Sequence, residues 1–510
     1  MVAGTKQITF DVAVIGAGLG GLNAAIAAAK HGCKVLLTEE YDRIGGQLTS
    51  QAVPPDEHMY IESTGCTASY RAYRNAVREH YRTHPHIIPR LQTQSEFCPG
   101  GSSVSRLAHP PALAQRLLNE RLQPYIDSGA VQLRLCCKPT AARRENGHIQ
   151  SVTLSDGDTV RAKLFIDATE TGDLLALSGA GYVTGAESRA QTGEKLAPAD
   201  ACPADMQPVT WVAACDWQEG EAPVIERPAA YDYFARYRMP YDDYNVLGMR
   251  GPDSRTGKSK LFGFFNGETC GNEKLFGLFA YRRIVCASHF QNNAEPRDVT
   301  LVNWPQNDYF MGNIIETGND AHHREMARQL TLSLVYWLQT EGGYKGLGLR
   351  TDVLGTPDGL AAAPYIRESR RMRALTTITA DDVTSGRTYA HSVGVGHYHI
   401  DLHITTVSHT FLFCPTKPFE IPFGALVSAD TDNLMAGCKN IGTTHLTNGC
   451  YRTHPVEWNV GEAAGLAAAF CLRHDIAPQA LEKDEKRFSE FARLLRDEGV
   501  PAHWEKQIIS

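Results

Sequence analysis

Phe10-Asp11-Val12-Ala13-Val14-Ile15-Gly16-Ala17-Gly18-Leu19-Gly20-Gly21 is followed by Lys34-Val35-Leu36-Leu37-Thr38 and then Glu39, and this stretch decides the fold. The run Val12 to Ile15 is short and β-branched, which predicts a buried parallel strand. Leu19 to His31 is Ala-rich and free of proline, which predicts a helix. Strand, glycine turn, helix and strand make a βαβ unit of the Rossmann kind. Gly16 permits the tight turn, Gly18 lets backbone N–H groups approach a pyrophosphate, and Gly21 lets the helix pack closely on the strand; Gly20 joins these three as a candidate cofactor contact. The helix N-terminus adds a partial positive charge for phosphate. Glu39 ends the second strand about 20 residues on, where a carboxylate accepts from a ribose diol and repels a 2′-phosphate. The spacing predicts a dinucleotide site without choosing between FAD and NAD.

The chain has 510 residues, 43% hydrophobic and 21% charged, enough for two or more globular domains. A net charge of −7 leaves no basic surplus for phosphate backbones, so nucleic acid is excluded as a partner. No apolar run approaches the roughly 20 residues of a membrane span, and Met1 to Ile8 lacks the features of a signal peptide; a cytoplasmic, membrane-free protein is expected. Thirteen scattered cysteines without a CxxC pair suit reduced thiols. Assembly into identical subunits is left open by composition.

After Glu39, Ile44-Gly45-Gly46-Gln47 offers a second close approach of backbone to ligand, with Gly45, Gly46 and Gln47 as candidate contacts. Ser69 to Thr83 reads as a cationic helix whose arginines a solvated face explains as well as a ligand would, and Pro111 to Ser128 as a helix begun by proline. Val131 to Leu135, Ile149 to Leu154 and Thr159 to Lys163 read as a β-meander, with Asx-Gly turns at Asn146-Gly147 and Asp156-Gly157. Leu164 to Asp167 then forms a buried strand leading to Ala168-Thr169-Glu170-Thr171-Gly172-Asp173. Aromatics concentrate between Met206 and Lys345, which reads as an inserted mixed α+β substrate domain ending in a helix from His323 to Thr340. Pro364 to Arg371 carries Arg367, Arg370 and Arg371, which either grip an anion bidentately or pair with local carboxylates. In Val395 to His403, the residues His397, His399, Asp401 and His403 alternate and would share one strand face. Leu434 to Asn440 leads to Gly449 to Gly465, an Ala-rich helix after Pro455 whose N-terminus sits at a polar loop. Asn440, Arg452 and Glu457 are its candidate cofactor contacts. Leu481 to Glu505 reads as a charged amphipathic surface helix.

The ordered set GAGLGG, IGGQ, ATETGD and HPVEWNVGEAAG resembles the glutathione-reductase-like FAD-dependent oxidoreductases. Within them it looks like a broad bacterial family of FAD-dependent oxidoreductases, some of whose members carry the label xanthan lyase. NWPQNDY, LQTE and PYIRESRR add weaker support. The resemblance implies Asp173 as a contact near the flavin ribityl and pyrophosphate, and a helix from the Gly449 to Gly465 region ending on the flavin pyrimidine edge. Glu170-Thr171 departs from the family pattern, where an aromatic and an acid are usual. The implied architecture is α/β: a glutathione-reductase-like FAD-binding Rossmann domain with a β-meander (1–205), the inserted domain (206–345), substrate-site segments and a return to the first domain (346–480), and a C-terminal helical tail (481–510).

Independently of the family, a helix N-terminus at the flavin N1 and C2 edge would steady the negative charge of the reduced ring by roughly 0.5–2 kcal/mol. Nicotinamide needs no such helix, so FAD is the expected cofactor. A flavin takes a hydride at N5, and a base must remove the accompanying O–H or N–H proton. Histidine suits this task. Of His397, His399, His403, His445 and His454, the first two rank highest because they lie beside arginines that could orient a polar substrate; Arg367 completes the catalytic candidates. The alternation also invites a metal, but three same-face residues span about 13 Å, too far for one ion without a bend. No metal is expected. The leading expectation is a dehydrogenase or oxidase of a polar small molecule; the alternatives are a redox-neutral lyase or isomerase and a non-catalytic FAD-binding protein. No second GxGxxG is evident, so electrons leave to oxygen, a quinone or a carrier protein.

Overall fold

The computed structural model describes residues 7–253, 255–505 and 508. Residues 1–6, on which the signal-peptide reading chiefly rests, and residues 506, 507, 509 and 510 of the tail lie outside the described residues. Gln7–Ile15 is the centre of a parallel sheet. Val12 to Ile15 are fully buried, which is why a continuous apolar run rather than an alternating one encodes this strand. Val35–Thr38 pairs on one side, with Val12 opposite Val35, and Thr159–Asp167 on the other, with Ile15 opposite Asp167. Val131–Arg134 and Leu434–Ala436 add the outer parallel strands. A sheet begun in the first residues is thus completed by a strand near the other end of the chain.

The same joining of chain ends recurs in the helices. Leu19–Lys30 packs against His454–His474 without intervening side chains at two levels: a Cβ on Gly461 would lie 1.9 Å from Gly20 O, and one on Gly465 2.2 Å from Ala24 O. Only glycine allows that approach.

The meander differs from the expectation. Val131–Arg134 is a parallel edge strand, and the antiparallel run is Pro139–Glu145, His148–Leu154 and Thr159–Asp167. Asn146 and Gly147 both take positive φ (50° and 78°), the conformation of a tight hairpin. Pro139–Glu145 escaped the reading because its Ala and Arg side chains are mostly exposed and show no β-branched pattern. The last strand also runs without interruption into Leu164 to Asp167.

A second core contains Trp304, Phe264, Tyr309 and Leu334, beneath the helix Asp320–Gln339. Its four-stranded antiparallel sheet has the order Arg283–Val285, Val299–Val302, Ala213–Trp217 and Leu347–Leu349. Ala52 and Val53, just after the second glycine loop, belong to this core, which puts that loop at the seam between the two. Two surface expectations are corrected. In the helix Ala68–Arg82, Arg74 and Arg78 are buried and pair with Glu57 and Glu62, because the segment after Ala52 folds over that face. The tail breaks at Asp484, whose carboxylate caps a new helix, Glu485–Asp497, and Phe488, Phe491 and Leu495 enter the first core. No helix among the described residues is long and apolar enough to cross a membrane.

Candidate active site

The glycine turn forms one wall of a narrow groove lined by Gly16, Gly18, Glu39, Thr169, Glu170 and Asp173. Gly16 adopts φ 99°, and a Cβ there would come within 2.2 Å of Ala168 O. Glu39 closes the end of the groove. Its Oε2 accepts from Ala17 N–H (2.8 Å) and its Oε1 from Tyr41 N–H (3.1 Å). Burial pushes the Glu39 carboxyl up to about 8, against the pull of those two donors.

The second glycine loop faces the first. Gly45 and Gly46 have φ of 106° and 47°, and a Cβ on Gly46 would lie 2.7 Å from Glu170 Oε1 and 2.9 Å from Gly18 Cα. From the far end of the chain, buried Lys439 pairs with Glu170, and Gln47 donates to Glu457 and to Arg452 O (3.1 Å). Asn440 ties the incoming strand to the sheet by donating to Asp167 O (3.1 Å). Asp173 accepts from Thr171 Oγ1 (2.7 Å) and pairs with Arg370 (3.1 Å). Burial pushes Glu457 up to about 7 although Lys439 pulls it down. Burial opposes the charge of Lys439, yet Glu170 and Glu457 hold it above the ordinary ammonium range.

The chemistry of this cradle fits a flavin dinucleotide. Glu170 Oε1, Glu457 Oε1 and Gln47 Oε1 are buried acceptors with no hydrogen-bond partner among the described residues. Hydroxyls and a ring N–H, which FAD carries on its ribityl chain and isoalloxazine, are the donors such atoms need. The first turn of Leu19–Lys30 holds no acidic residue, which leaves its N-terminal field to a phosphate.

A separate cavity of about 480 Å³ is lined by Asp56, Tyr281, His399, Asp401, His403 and Phe413, among others. The expected single strand through Val395 to His403 is two strands. Ser392–Gly396 pairs with Phe419–Pro422, and Ile400–Leu402 pairs with Leu412–Cys414, so residues 397 to 399 bridge two different partners. That break separates the alternating residues. His397 packs on Tyr60 (5.5 Å between ring centroids) and His58 (6.4 Å) and does not line the cavity. His399 stacks between Tyr398 (4.2 Å) and Phe413 (4.1 Å), with Nε2 3.8 Å from Asp401 Oδ1. Burial lowers both imidazoles.

Arg367 is 2% exposed and donates to Asp308 Oδ1 (2.8 Å), Thr210 Oγ1 (2.8 Å) and Pro208 O (3.0 Å), away from the cavity. Arg371 likewise pairs with Glu187 (2.9 Å) and with Glu368. His445 faces Glu368 at 3.0 Å, and His454 has both nitrogens engaged, by Asp56 N–H (3.0 Å) and Val53 O (3.1 Å). Burial pushes His454 down to about 4. Asp308 and Asp56 are functional neighbours that sequence reasoning missed. Asp308 stands in the NWPQNDY segment and reaches His403, and Asp56 pairs with Arg282 (3.0 Å). Neither lies in a recognisable spacing, because their partners come from segments far away in the chain.

Cradle and cavity meet at Arg452. Its carbonyl accepts from Gln47, while its guanidinium bonds Asp401 Oδ2 (3.1 Å) and Tyr365 OH (2.5 Å).

Comparison with known proteins adds the following. A family model described as FAD dependent oxidoreductase matches residues 11–495. A stretch of 59 residues is 41% identical to the FAD-dependent monooxygenase ntnJ of Nectria sp; it spans 12% of this chain and 14% of that relative. Among solved structures, a geranylgeranyl bacteriochlorophyll reductase-like protein from Thermoplasma acidophilum is 11% identical with a TM-score of 0.37, covering 96% of this chain and 84% of that one. The closed structure of a cyclohexanone monooxygenase is 16% identical with a TM-score of 0.20, covering 32% of this chain and 26% of that one.

Proposed function

The chain belongs to the FAD-dependent oxidoreductase family, and from that premise we propose a dehydrogenase or oxidase that acts on a polar small molecule bearing a CH–OH or CH–NH group, with His399 as the base. FAD held in the cradle supplies a two-electron acceptor. The groups assigned to hold it are the glycines at 16, 18, 20, 21, 45 and 46, with Glu39, Gln47, Asp173, Asn440, Arg452 and Glu457. The parallel sheet with its attached meander, and the helix from His454 crossing Leu19–Lys30, support a glutathione-reductase-like arrangement. Residues 206–345 are assigned to the substrate domain.

One observation carries the choice of base. Among the described residues His399 forms no hydrogen bond through either ring nitrogen, yet it lines the cavity, whereas His403, His445 and His454 are all engaged. A base must have a free lone pair within reach of the substrate proton. Burial, with Arg452 and Arg255 nearby, holds His399 below the ordinary imidazole range, so it stands neutral at about pH 7 and accepts a proton there. Arg367 supports the cavity by anchoring Asp308 instead of binding substrate.

The test is the visible spectrum of the purified protein, followed by anaerobic exposure to alcohols, amines and sugars. Bleaching that persists without an acceptor is the expected result. Turnover without net bleaching would assign redox-neutral chemistry instead, and a colourless protein unable to take up FAD would remove the reading.

A further inference from the structure

His403 is the one imidazole of the cavity held between two carboxylates. Its Nδ1 lies 2.5 Å from Asp308 Oδ2 and its Nε2 3.2 Å from Asp401 Oδ2. Each carboxylate is also anchored by a buried guanidinium: Arg367 takes the other oxygen of Asp308, Oδ1, at 2.8 Å, and Arg452 shares Oδ2 of Asp401 with His403, at 3.1 Å. Burial alone would favour the neutral acids. The neighbouring cations outweigh it, and both carboxyls lie below their ordinary range. An ionised carboxylate only accepts hydrogen bonds, so both nitrogens of His403 must present N–H, and only the imidazolium form offers two. A neutral ring would turn a lone pair toward an anion at one end or the other.

The five groups therefore alternate in sign, Arg367, Asp308, His403, Asp401, Arg452, and carry one surplus positive charge. That surplus sits against the cavity, where the His403 side chain keeps 25% exposure. His399 stands on the other side of Asp401 and feels His403, Arg452 and Arg255 as charges opposing its protonation, with Asp401 alone favouring it. We propose that His403 is a standing cation in the cavity wall, a positioning residue that takes no part in proton transfer but keeps His399 unprotonated and Asp401 fixed beside it. The proposal rests on His399 being the base and gives the two histidines opposite duties. A substrate oxygen that becomes negative as His399 removes its proton is stabilised by the same surplus charge.

Holoprotein labelled with ¹⁵N-histidine tests this. The expected spectrum contains a histidine with both ring nitrogens protonated, and H403Q removes that signal. In H403Q the midpoint of His399 titration, assigned with H399N, also moves to higher pH by roughly half to one pH unit. Should H403Q not fold, D308N provides the second reading: the doubly protonated signal is then lost. A doubly protonated signal that is absent, or that survives H403Q, overturns the proposal, and so does a His399 midpoint that H403Q leaves in place. Failure of the substrate screen leaves these spectra unchanged, so the base assignment and the charge assignment fail separately.

Discussion

The cradle and the cavity are built by opposite means. The cradle is made of backbone: glycines at 16, 20, 21, 46 and 461 let main chains approach within distances that any Cβ would forbid, and the ligand's place is set by what is missing. One wall of the cavity is held by charge. Asp308, Asp401, Arg367, Arg452 and His403 arrive from separated segments and hold one another by ion pairs that only the finished fold assembles. A backbone site fails when volume is added, and a charge site fails when a partner is removed. Substitutions of each kind should therefore separate cofactor retention from chemistry.

The largest effect is expected at the helix crossing. G461V places a branched side chain where even a Cβ would lie 1.9 Å from Gly20 O, and a backbone carbonyl cannot step aside as a flexible side chain can. A loss of more than about 4 kcal/mol in denaturant unfolding is predicted, with failure to retain flavin. Retention of a stable yellow protein would mean that the two chain ends do not cross as described. H399Q is expected to act on the other half alone. Anaerobic bleaching should slow by about 10²–10⁴-fold while flavin content and unfolding midpoint stay near wild type. Loss of flavin in this variant would erase the distinction between the halves.

The same contrast explains what was legible. Gly16-Ala17-Gly18-Leu19-Gly20-Gly21 and Glu39 could be read because a tight turn, a close approach and a strand-end carboxylate each demand a residue type at a short spacing. The pairing of Gln47 with Glu457, or of His403 with Asp308, has no such spacing, since segments 410 and 95 residues apart supply the two sides. The alternation from His397 to His403 was visible but assumed one strand. The structure gives it two sheet partners, and the bend between them chooses which histidine meets the cavity. Pro139–Glu145 was missed for a third reason: an exposed edge strand has no buried face to leave a pattern.

A smaller, pH-dependent effect sharpens the account of the cradle. In flavin-free protein, burial raises Glu39 from 4.5 to about 8. A carboxyl raised on folding contributes its stability below its unfolded value and loses it as pH climbs through the folded one. Relative to wild type, flavin-free E39Q should therefore gain stability as pH rises between about 4.5 and 8. Its FAD affinity should fall roughly tenfold, because a carboxyl whose two oxygens accept from Ala17 N–H and Tyr41 N–H, and would accept from the ribose diol, has become an amide with one acceptor oxygen. A difference in stability that is flat with pH would show Glu39 to be solvated rather than sealed behind the glycine turn.

The smallest expected effect is the most discriminating. His397 and His399 are two residues apart and chemically identical, and both were plausible bases on spacing alone. His397 rests on Tyr60 and His58 with Nδ1 buried and unpartnered among the described residues, so a glutamine there keeps a polar group of similar reach without touching the cavity. H397Q should change the bleaching rate less than about threefold and stability by less than about 1 kcal/mol. If instead H397Q proved as damaging as H399Q, the bend at 397 to 399 would have to straighten in solution. Both imidazoles would then face the cavity, Asp401 would turn with them, and the clamp on His403 could not exist in the form described. A pair of variants two residues apart therefore tests the charge-built half of the molecule through its backbone, which ties the two modes of construction together.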